Sequence, residues 1–308
     1  MSPARLPPLL ALLASACVQA GPPTRAFREP MKLGGKTVPA EVLTLGERDY
    51  ALYCRACHGD HGDGKGPAAK GLRPPPRDFT LGTFKFAAVA GGSLPSDDDL
   101  ERIVRSGLHG TAMRAWDGVP EANLRAIIQY LKTFSPRWKD EVPGDPILPT
   151  PDPWKGREAE GVARGRALYH GLAQCNSCHP SYLSKQGIDL ASRQLTGNAV
   201  SDFRDDLYGS ALKESDYGVK LLPPDFTRSE LRSVREDHQL EDLYRIIASG
   251  VGGTAMPTWR GVLPEGDLWA LAHYVSSLVA LKGTEEPRRM LEANLRADAQ
   301  WKPDPPKP

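Results

Sequence analysis

A pentapeptide of the form Cys-x-x-Cys-His occurs twice in this chain and constrains its fold more than any other feature. The two copies occupy residues 54–58 and 175–179 and contain four of the five cysteines in the 308-residue sequence. Two thiols three residues apart on one helical turn can add to the two vinyl groups of a porphyrin, and the next histidine then lies beneath the iron. We therefore expect two covalently bound c-type haems. The predicted attachment and proximal residues are Cys54, Cys57 and His58 in the first copy, and Cys175, Cys178 and His179 in the second.

Two other chemistries use closely spaced cysteines. A tetrahedral zinc site would require both cysteine pairs to come together. A thioredoxin-type dithiol would require a strand followed by a helix, and it gives the histidine no role. Because the whole pentapeptide appears twice, haem attachment is the favoured interpretation of both copies.

The second half of the chain repeats the first. Gly-Thr-Ala-Met stands at 110–113 and again at 253–256, and Pro-Arg-Asp-Phe-Thr at 76–80 matches Pro-Asp-Phe-Thr at 224–227. A repeat of this kind indicates two copies of one structural unit. The sequence therefore predicts two homologous haem domains in tandem.

A methionine lies at the same position in both repeats, Met113 in the first and Met256 in the second. Gly110 and Gly253 would let each loop approach the macrocycle closely. A thioether is a soft ligand, and its coordination raises the reduction potential of the iron. We expect Met113 and Met256 to be the second axial ligands of the two irons, with His109 as the one rival to Met113.

Apolar periodicity and helix-start signals indicate helices throughout both repeats. The predicted fold class is all-α, with two small domains at 41–134 and 161–281. The predicted helices cover 41–57, 96–106 and 121–134 in the first domain, 162–178, 239–249 and 264–281 in the second, and 287–300 in the tail.

Three segments lie outside the predicted repeat. The linker 135–160 contains six prolines, which predicts a stiff spacer that does not pack as an element. An insertion near 181–221 separates the second pentapeptide from its Pro-Asp-Phe-Thr. We expect a solvated loop there, with cover for the second haem or a partner contact as the alternatives. A charged, Pro-rich tail covers 282–308.

Residues 1–20 have the features of an export signal peptide, with Arg5 followed by a short apolar run and small residues. The run is too short to cross a bilayer, which takes about 20 residues. Cleavage before Gly21 would suit ordinary signal peptidase, whereas cleavage before Cys17 would follow an imperfect lipobox with Ala14 in place of the usual Leu. Because Cys17 is the cysteine left over from the two pentapeptides, we favour a lipid on it. This predicts a periplasmic protein with a lipid anchor to a membrane.

These motifs resemble those of class I c-type cytochromes, especially the small haem domains in the cytochrome c subunits of cbb-type terminal oxidases. The resemblance covers 41–134 and 161–281 and implies a tandem di-haem cytochrome. In that family a proline carbonyl accepts a hydrogen bond from the proximal histidine, so the resemblance assigns this role to Pro67 for His58. The second pentapeptide has no Gly-Pro soon after it, which leaves the orienting contact of His179 unassigned.

An iron with both axial positions filled has no open position for a substrate, and it transfers electrons by outer-sphere contact. The expected function is therefore an electron carrier, not an enzyme, or the electron-transfer subunit of an oxidoreductase complex in the respiratory chain. Its partners would be redox proteins, with a dehydrogenase or quinol-oxidising complex as donor and a terminal oxidase or reductase as acceptor. A formal net charge of +1 does not suggest the basic face of a nucleic-acid-binding protein.

Two other functions stay open at this point. A di-haem cytochrome c peroxidase would need an iron with an openable distal side and acid–base groups there, whereas both repeats offer a methionine. A haem redox or gas sensor would need Met113 or Met256 to dissociate from its iron.

Overall fold

The computed structural model describes residues 26–302 of the chain, so the predicted export signal, Cys17 and residues 303–308 lie outside the described residues. The described part is mostly helical with one small two-stranded sheet, which confirms the all-α class. None of its helices is long and apolar enough to cross a membrane.

The first domain begins with a β-hairpin, in which β1 (Met31–Leu33) pairs antiparallel with β2 (Lys36–Val38). Its helices are α1 (Ala40–Tyr53), α2 (Arg55–His58), α3 (Asp97–Ser106) and α4 (Glu121–Lys132). The start of α3 is fixed by a capping box, because the hydroxyl of Ser96 accepts from the amide of Asp99 and the Asp99 carboxylate accepts from the amide of Ser96.

The linker, the second domain and the tail add six further helices. They are α5 (Arg137–Asp140), α6 (Glu158–Ala167), α7 (Lys185–Thr196), α8 (Gln239–Ser249), α9 (Glu265–Val279) and α10 (Glu286–Asp298). A π-helical turn (Leu168–Leu172) extends α6, and 3-10 turns lie at Pro67–Ala69, Cys175–Ser177 and Glu236–His238.

Each domain is built on a close crossing of its first and last long helices, α1 with α4 and α6 with α9. A β-carbon added to Gly46 would lie 2.1 Å from the carbonyl oxygen of Ala126. One added to Gly165 would lie 1.9 Å from the carbonyl oxygen of Ala270. Only glycine allows backbones to approach this closely, and the two glycines occupy equivalent positions, so both domains use the same helix crossing.

A buried tyrosine connects each crossing to the pentapeptide. The hydroxyl of Tyr50 donates to the carbonyl oxygen of Gly59 at 2.9 Å, and that of Tyr169 donates to the carbonyl oxygen of Pro180 at 2.9 Å. Both tyrosines are at most 1% exposed, and both acceptors directly follow the histidine of a pentapeptide. The core therefore fixes where each pentapeptide ends.

The single helix expected at 162–178 is wrong. The sequence has two more residues between Tyr169 and Cys175 than between Tyr50 and Cys54. The chain absorbs them in the π-helical turn and in Gln174, whose φ of 49° lies in the left-handed region. As a result, α6 ends well before the second pentapeptide.

The linker is packed against both domains, contrary to the expected free spacer. The amide of Ile147 donates to the carbonyl oxygen of Ala88 in the first domain at 2.6 Å, whereas its side chain, 4% exposed, lies in the core of the second domain. On the other side, Asp152 accepts a 2.9 Å hydrogen bond from the ring of His273 in α9. Prolines remove backbone donors, but they leave the apolar and charged side chains between them able to pack.

The insertion is also folded, so the expected solvated loop is wrong. Its helix α7 lies directly on the π-helical turn, where a β-carbon on Gly171 would be 2.5 Å from the carbonyl oxygen of Ala191. The amide of Tyr182 donates to Nε2 of His170, which is 1% exposed. The apolar residues at helical spacing in α7 therefore pack against the π-helical turn of the second domain.

Candidate functional site

The two cysteine pairs lie in the two separate domains. In the first pentapeptide, Cys57 and His58 donate their amides to the carbonyl oxygen of Cys54, which sets the three side chains on one helical turn. The four thiols of both pentapeptides are free and half-buried. Burial raises the pKa of Cys54 to about 12 and that of Cys175 to about 12. A redox-active dithiol needs a lowered pKa, so this environment argues against the dithiol alternative.

His58 is held by a backbone carbonyl and by an aromatic ring. Its Nδ1 lies 3.1 Å from the carbonyl oxygen of Arg77, and its ring stacks on Phe79 with centroids 4.5 Å apart. Because a carbonyl only accepts, Nδ1 carries the proton and the lone pair is on Nε2. Burial lowers the pKa of His58, which favours this neutral form. The imidazole is thus prepared to bind a metal through Nε2.

Pro67, which was expected to accept from His58, has a different role. It starts the 3-10 turn that follows Gly66, whose amide donates to the carbonyl oxygen of Cys57 at 3.1 Å. A β-carbon on Gly66 would lie 2.3 Å from the carbonyl oxygen of Ala56. The Gly-Pro turn therefore packs against the pentapeptide backbone, and Arg77 supplies the acceptor for the histidine instead.

The second histidine has the same setting, which identifies the orienting contact that the sequence leaves unassigned. Nδ1 of His179 lies 2.9 Å from the carbonyl oxygen of Pro224, and its ring stacks on Phe226 at 4.7 Å. Pro224 and Arg77 are equivalent in the repeat, since each directly precedes Asp-Phe-Thr. Burial also lowers the pKa of His179. Both sites therefore present a neutral, oriented imidazole.

The insertion replaces the missing Gly-Pro turn of the second domain. The amide of Ala211 donates to the carbonyl oxygen of Cys178 at 2.8 Å, the bond that Gly66 makes to Cys57 in the first domain. The guanidinium of Arg204 donates to the carbonyl oxygens of Asn176 at 3.2 Å, His179 at 3.2 Å and Gly209 at 2.8 Å. Sequence reasoning missed Arg204, whose only signal was that some group must replace the absent turn.

The two methionine loops have the same internal geometry. The hydroxyl of Thr111 accepts from the amide of Met113 at 3.0 Å, and that of Thr254 accepts from the amide of Met256 at 3.2 Å. Gly110 and Gly253 both have a positive φ, 65° and 67°. Each loop is therefore shaped by its own Thr and Gly. His109, the rival ligand, has an exposed side chain.

The donor set fits a haem and does not form a zinc site. Within residues 26–302, no three His, Cys, Asp or Glu side chains converge into a group that could hold a metal ion. The side chains of Cys175 and Met256 both pack against the second-domain core, and Cys54 packs against that of the first. Two thiols, a neutral imidazole and a thioether near an apolar core are the groups that a covalently bound iron porphyrin requires.

A family model described as cytochrome C oxidase, cbb3-type, subunit III matches residues 41–131 and 160–275. The chain belongs to this family. Its cytochrome c domains imply covalently bound haem c and a role in electron transfer. Among solved structures, the chain is similar to a component of the reducing HAO-like protein complex of Kuenenia stuttgartiensis, with 29% sequence identity and a TM-score of 0.58. The similarity covers 76% of this chain and 96% of that one. No curated protein matches this sequence significantly.

The two cytochrome c domains meet through their methionine loops. The amide of His109 in the first loop donates to the carbonyl oxygen of Arg232 at 2.8 Å, and the amide of Gly252 in the second donates to the carbonyl oxygen of Lys85 at 3.1 Å. Both donors directly precede Gly-Thr-Ala-Met, and both acceptors lie six residues after the Phe of Asp-Phe-Thr. The exchange is therefore reciprocal between equivalent residues, as in a pseudo-symmetric dimer.

Proposed function

We propose that this cytochrome carries two haems c, one in each domain, and transfers electrons between redox proteins without itself catalysing a reaction. Thioether bonds form at both cysteines of each pentapeptide, and the adjacent histidine is the proximal ligand. The proposed axial pairs are His58 with Met113 for the first iron, and His179 with Met256 for the second.

The observation that carries this proposal is the complete duplication of the site. Each domain presents a neutral imidazole with its Nδ1 bonded to an equivalent carbonyl, and each presents a methionine on an equivalent loop. A haem supplies one-electron redox chemistry when it is bound. The protein supplies the fixed proximal ring and a soft thioether, which raises the reduction potential of the iron.

The apposed methionine loops support electron exchange between the domains. Because each loop bonds directly to the facing domain, contacts other than the linker also hold the two domains together. The two hydrogen bonds, one from each loop to the facing domain, hold the two sites at a constant separation. Because the rate of electron transfer depends on separation, this rate stays constant as well. The two domains therefore act as one carrier.

The proposed partners are redox proteins outside the cytoplasm. The expected export signal supports a periplasmic location, and the lipid proposed on Cys17 would keep the carrier at a membrane surface. A dehydrogenase or quinol-oxidising complex would be the donor, and a terminal oxidase or reductase the acceptor. Similarity to a component of a protein complex supports the option that this chain is an electron-transfer subunit.

A spectroelectrochemical titration of the purified holoprotein, followed by a peroxide assay, tests this function. We expect the chain to take up two electrons reversibly in one-electron steps, and we expect no turnover of hydrogen peroxide with a reduced donor. An uptake of one electron per chain would overturn the two-haem assignment. Sustained peroxide turnover would instead identify a peroxidase.

A further inference from the structure

The loop that carries Met256 is held from two sides. On one side, a β-carbon added to Gly252 would lie 2.1 Å from the carbonyl oxygen of Phe84 in the first domain. On the other side, the insertion pairs with the loop, because the amide of Asp216 donates to the carbonyl oxygen of Gly253 at 3.1 Å. The loop therefore lies between the first domain and the insertion.

Tyr217 connects these two sides. Its hydroxyl donates to the carbonyl oxygen of Gly252 at 2.8 Å, four residues before Met256. Its ring lies under the guanidinium of Arg77 at 4.0 Å and near the ammonium of Lys85 at 4.9 Å, both from the first domain. A single side chain thus contacts the Met256 loop and two cations of the opposite domain.

In the described part of the chain, the Met113 loop shares the bond to the facing domain, from the amide of His109 to the carbonyl oxygen of Arg232, but it lacks a segment like the insertion on its other side. Within residues 26–302, the carbonyl oxygens of His109 and Gly110 accept no hydrogen bond, and a β-carbon on Gly110 would meet only the Glu230 side chain, at 3.4 Å. The insertion has no counterpart in the first domain. Two loops with the same internal geometry are therefore held to different extents.

We propose that Tyr217 is a positioning residue for Met256, and that it makes the second iron–thioether bond harder to displace than the first. The inference rests on the proposed axial ligands. A loop that the insertion already fixes would lose less conformational freedom when its thioether binds a haem iron, which would favour the bound state over displacement by an external ligand. The expected order is that a small neutral ligand such as imidazole displaces Met113 first and Met256 second.

The contribution of the Tyr217 hydroxyl can be isolated with Tyr217→Phe, which keeps the ring and its cation contacts. One hydrogen bond of this kind corresponds to about a fivefold change in an equilibrium constant. Tyr217→Ala also removes the ring, and we expect a larger change from it, of about tenfold or more.

The experiment uses ferric holoprotein with Met113→Ala, so that the thioether–iron charge-transfer band reports on Met256 alone. We expect Tyr217→Phe to lower the imidazole concentration at half-displacement by about fivefold. The matched control is Tyr208→Phe, which removes a phenol hydrogen bond of the same insertion, from its hydroxyl to Asp298, away from the loop. This control should leave the midpoint unchanged.

The complementary protein, Met256→Ala, reports on Met113. Its midpoint should be lower than that of Met113→Ala, and Tyr217→Phe should leave it unchanged. A Tyr217→Phe midpoint equal to that of Tyr208→Phe, or an equal shift in both backgrounds, would overturn the positioning role. Absence of the thioether band before any imidazole is added would instead refute the proposed axial ligands.

Discussion

Replacement of Arg204 by alanine tests whether the insertion holds the second pentapeptide. The guanidinium donates to three carbonyl oxygens, two of which belong to the pentapeptide residues Asn176 and His179. The third belongs to Gly209, two residues before Ala211, whose amide bonds to Cys178. Arg204→Ala removes all three bonds at once, together with an ion pair to Asp206, which is 59% exposed.

The magnitude follows from these contacts. A hydrogen bond from a charged donor contributes about 1.5–3 kcal/mol. The three bonds share one side chain that is 21% exposed, so water can replace part of them and their contributions do not add fully. We expect Arg204→Ala to lower the free energy of unfolding of the second domain by about 2–4 kcal/mol.

The assay is unfolding of the holoprotein in guanidinium chloride, followed by far-ultraviolet circular dichroism and by haem absorbance. Arg228→Ala is the matched control, because Arg228 is 68% exposed and makes one 3.6 Å ion pair with Asp225. Its loss should cost less than about 0.5 kcal/mol. If Arg204→Ala is no more destabilising than this control, the insertion does not hold the pentapeptide through Arg204.

Two further predictions concern stability. In a thermal unfolding assay, Gly165→Ala should destabilise the second domain by about 1–3 kcal/mol, because the added carbon would lie 1.9 Å from the Ala270 carbonyl oxygen. The control Gly266→Ala should be neutral or stabilising, because the nearest neighbour of its added carbon is a Pro153 carbon at 3.6 Å. Burial lowers the pKa of His170 from 6.5 to about 3, so only the unfolded chain binds this proton between those values and stability falls as the pH falls through that window. His170→Gln should lose less stability than the wild type between neutral pH and about pH 4; equal losses would contradict this contribution.

The sequence was sufficient where the structure depends on short, contiguous segments. The Gly-Thr-Ala-Met loops are alike because each Thr hydroxyl accepts from an amide two residues away, so identical local sequence produces identical local structure. The start of α3 was predictable for the same reason, since Ser96 and Asp99 cap it locally. Local side-chain chemistry is what a single sequence displays directly.

The acceptors of the two histidines were not predictable in this way. Nδ1 of His58 reaches a carbonyl 19 residues away, and Nδ1 of His179 reaches one 45 residues away. Every residue has a backbone carbonyl, so the acceptor carries no residue-type signal, and only the path of the chain selects Arg77 and Pro224.

The packing of the linker and the insertion was missed for a related reason. Proline content predicts stiffness, but it does not show that the Ile147 amide bonds to the first domain while its side chain joins the core of the second, or that Asp152 bonds to α9. Likewise, α7 packs against the π-helical turn, and this turn accommodates the two extra residues that precede Cys175. Such contacts depend on tertiary structure and leave no periodic pattern that identifies their partners.

The ligands of the two irons test the central claim most directly. Near-infrared magnetic circular dichroism of the ferric holoprotein, combined with a pyridine haemochrome count of haem per chain, measures both the number of haems and their ligands. The proposed function predicts two low-spin haems per chain, each with a thioether–iron charge-transfer band. One haem per chain, a high-spin signal from either site, or a thioether band with the intensity of one haem instead of two would contradict it.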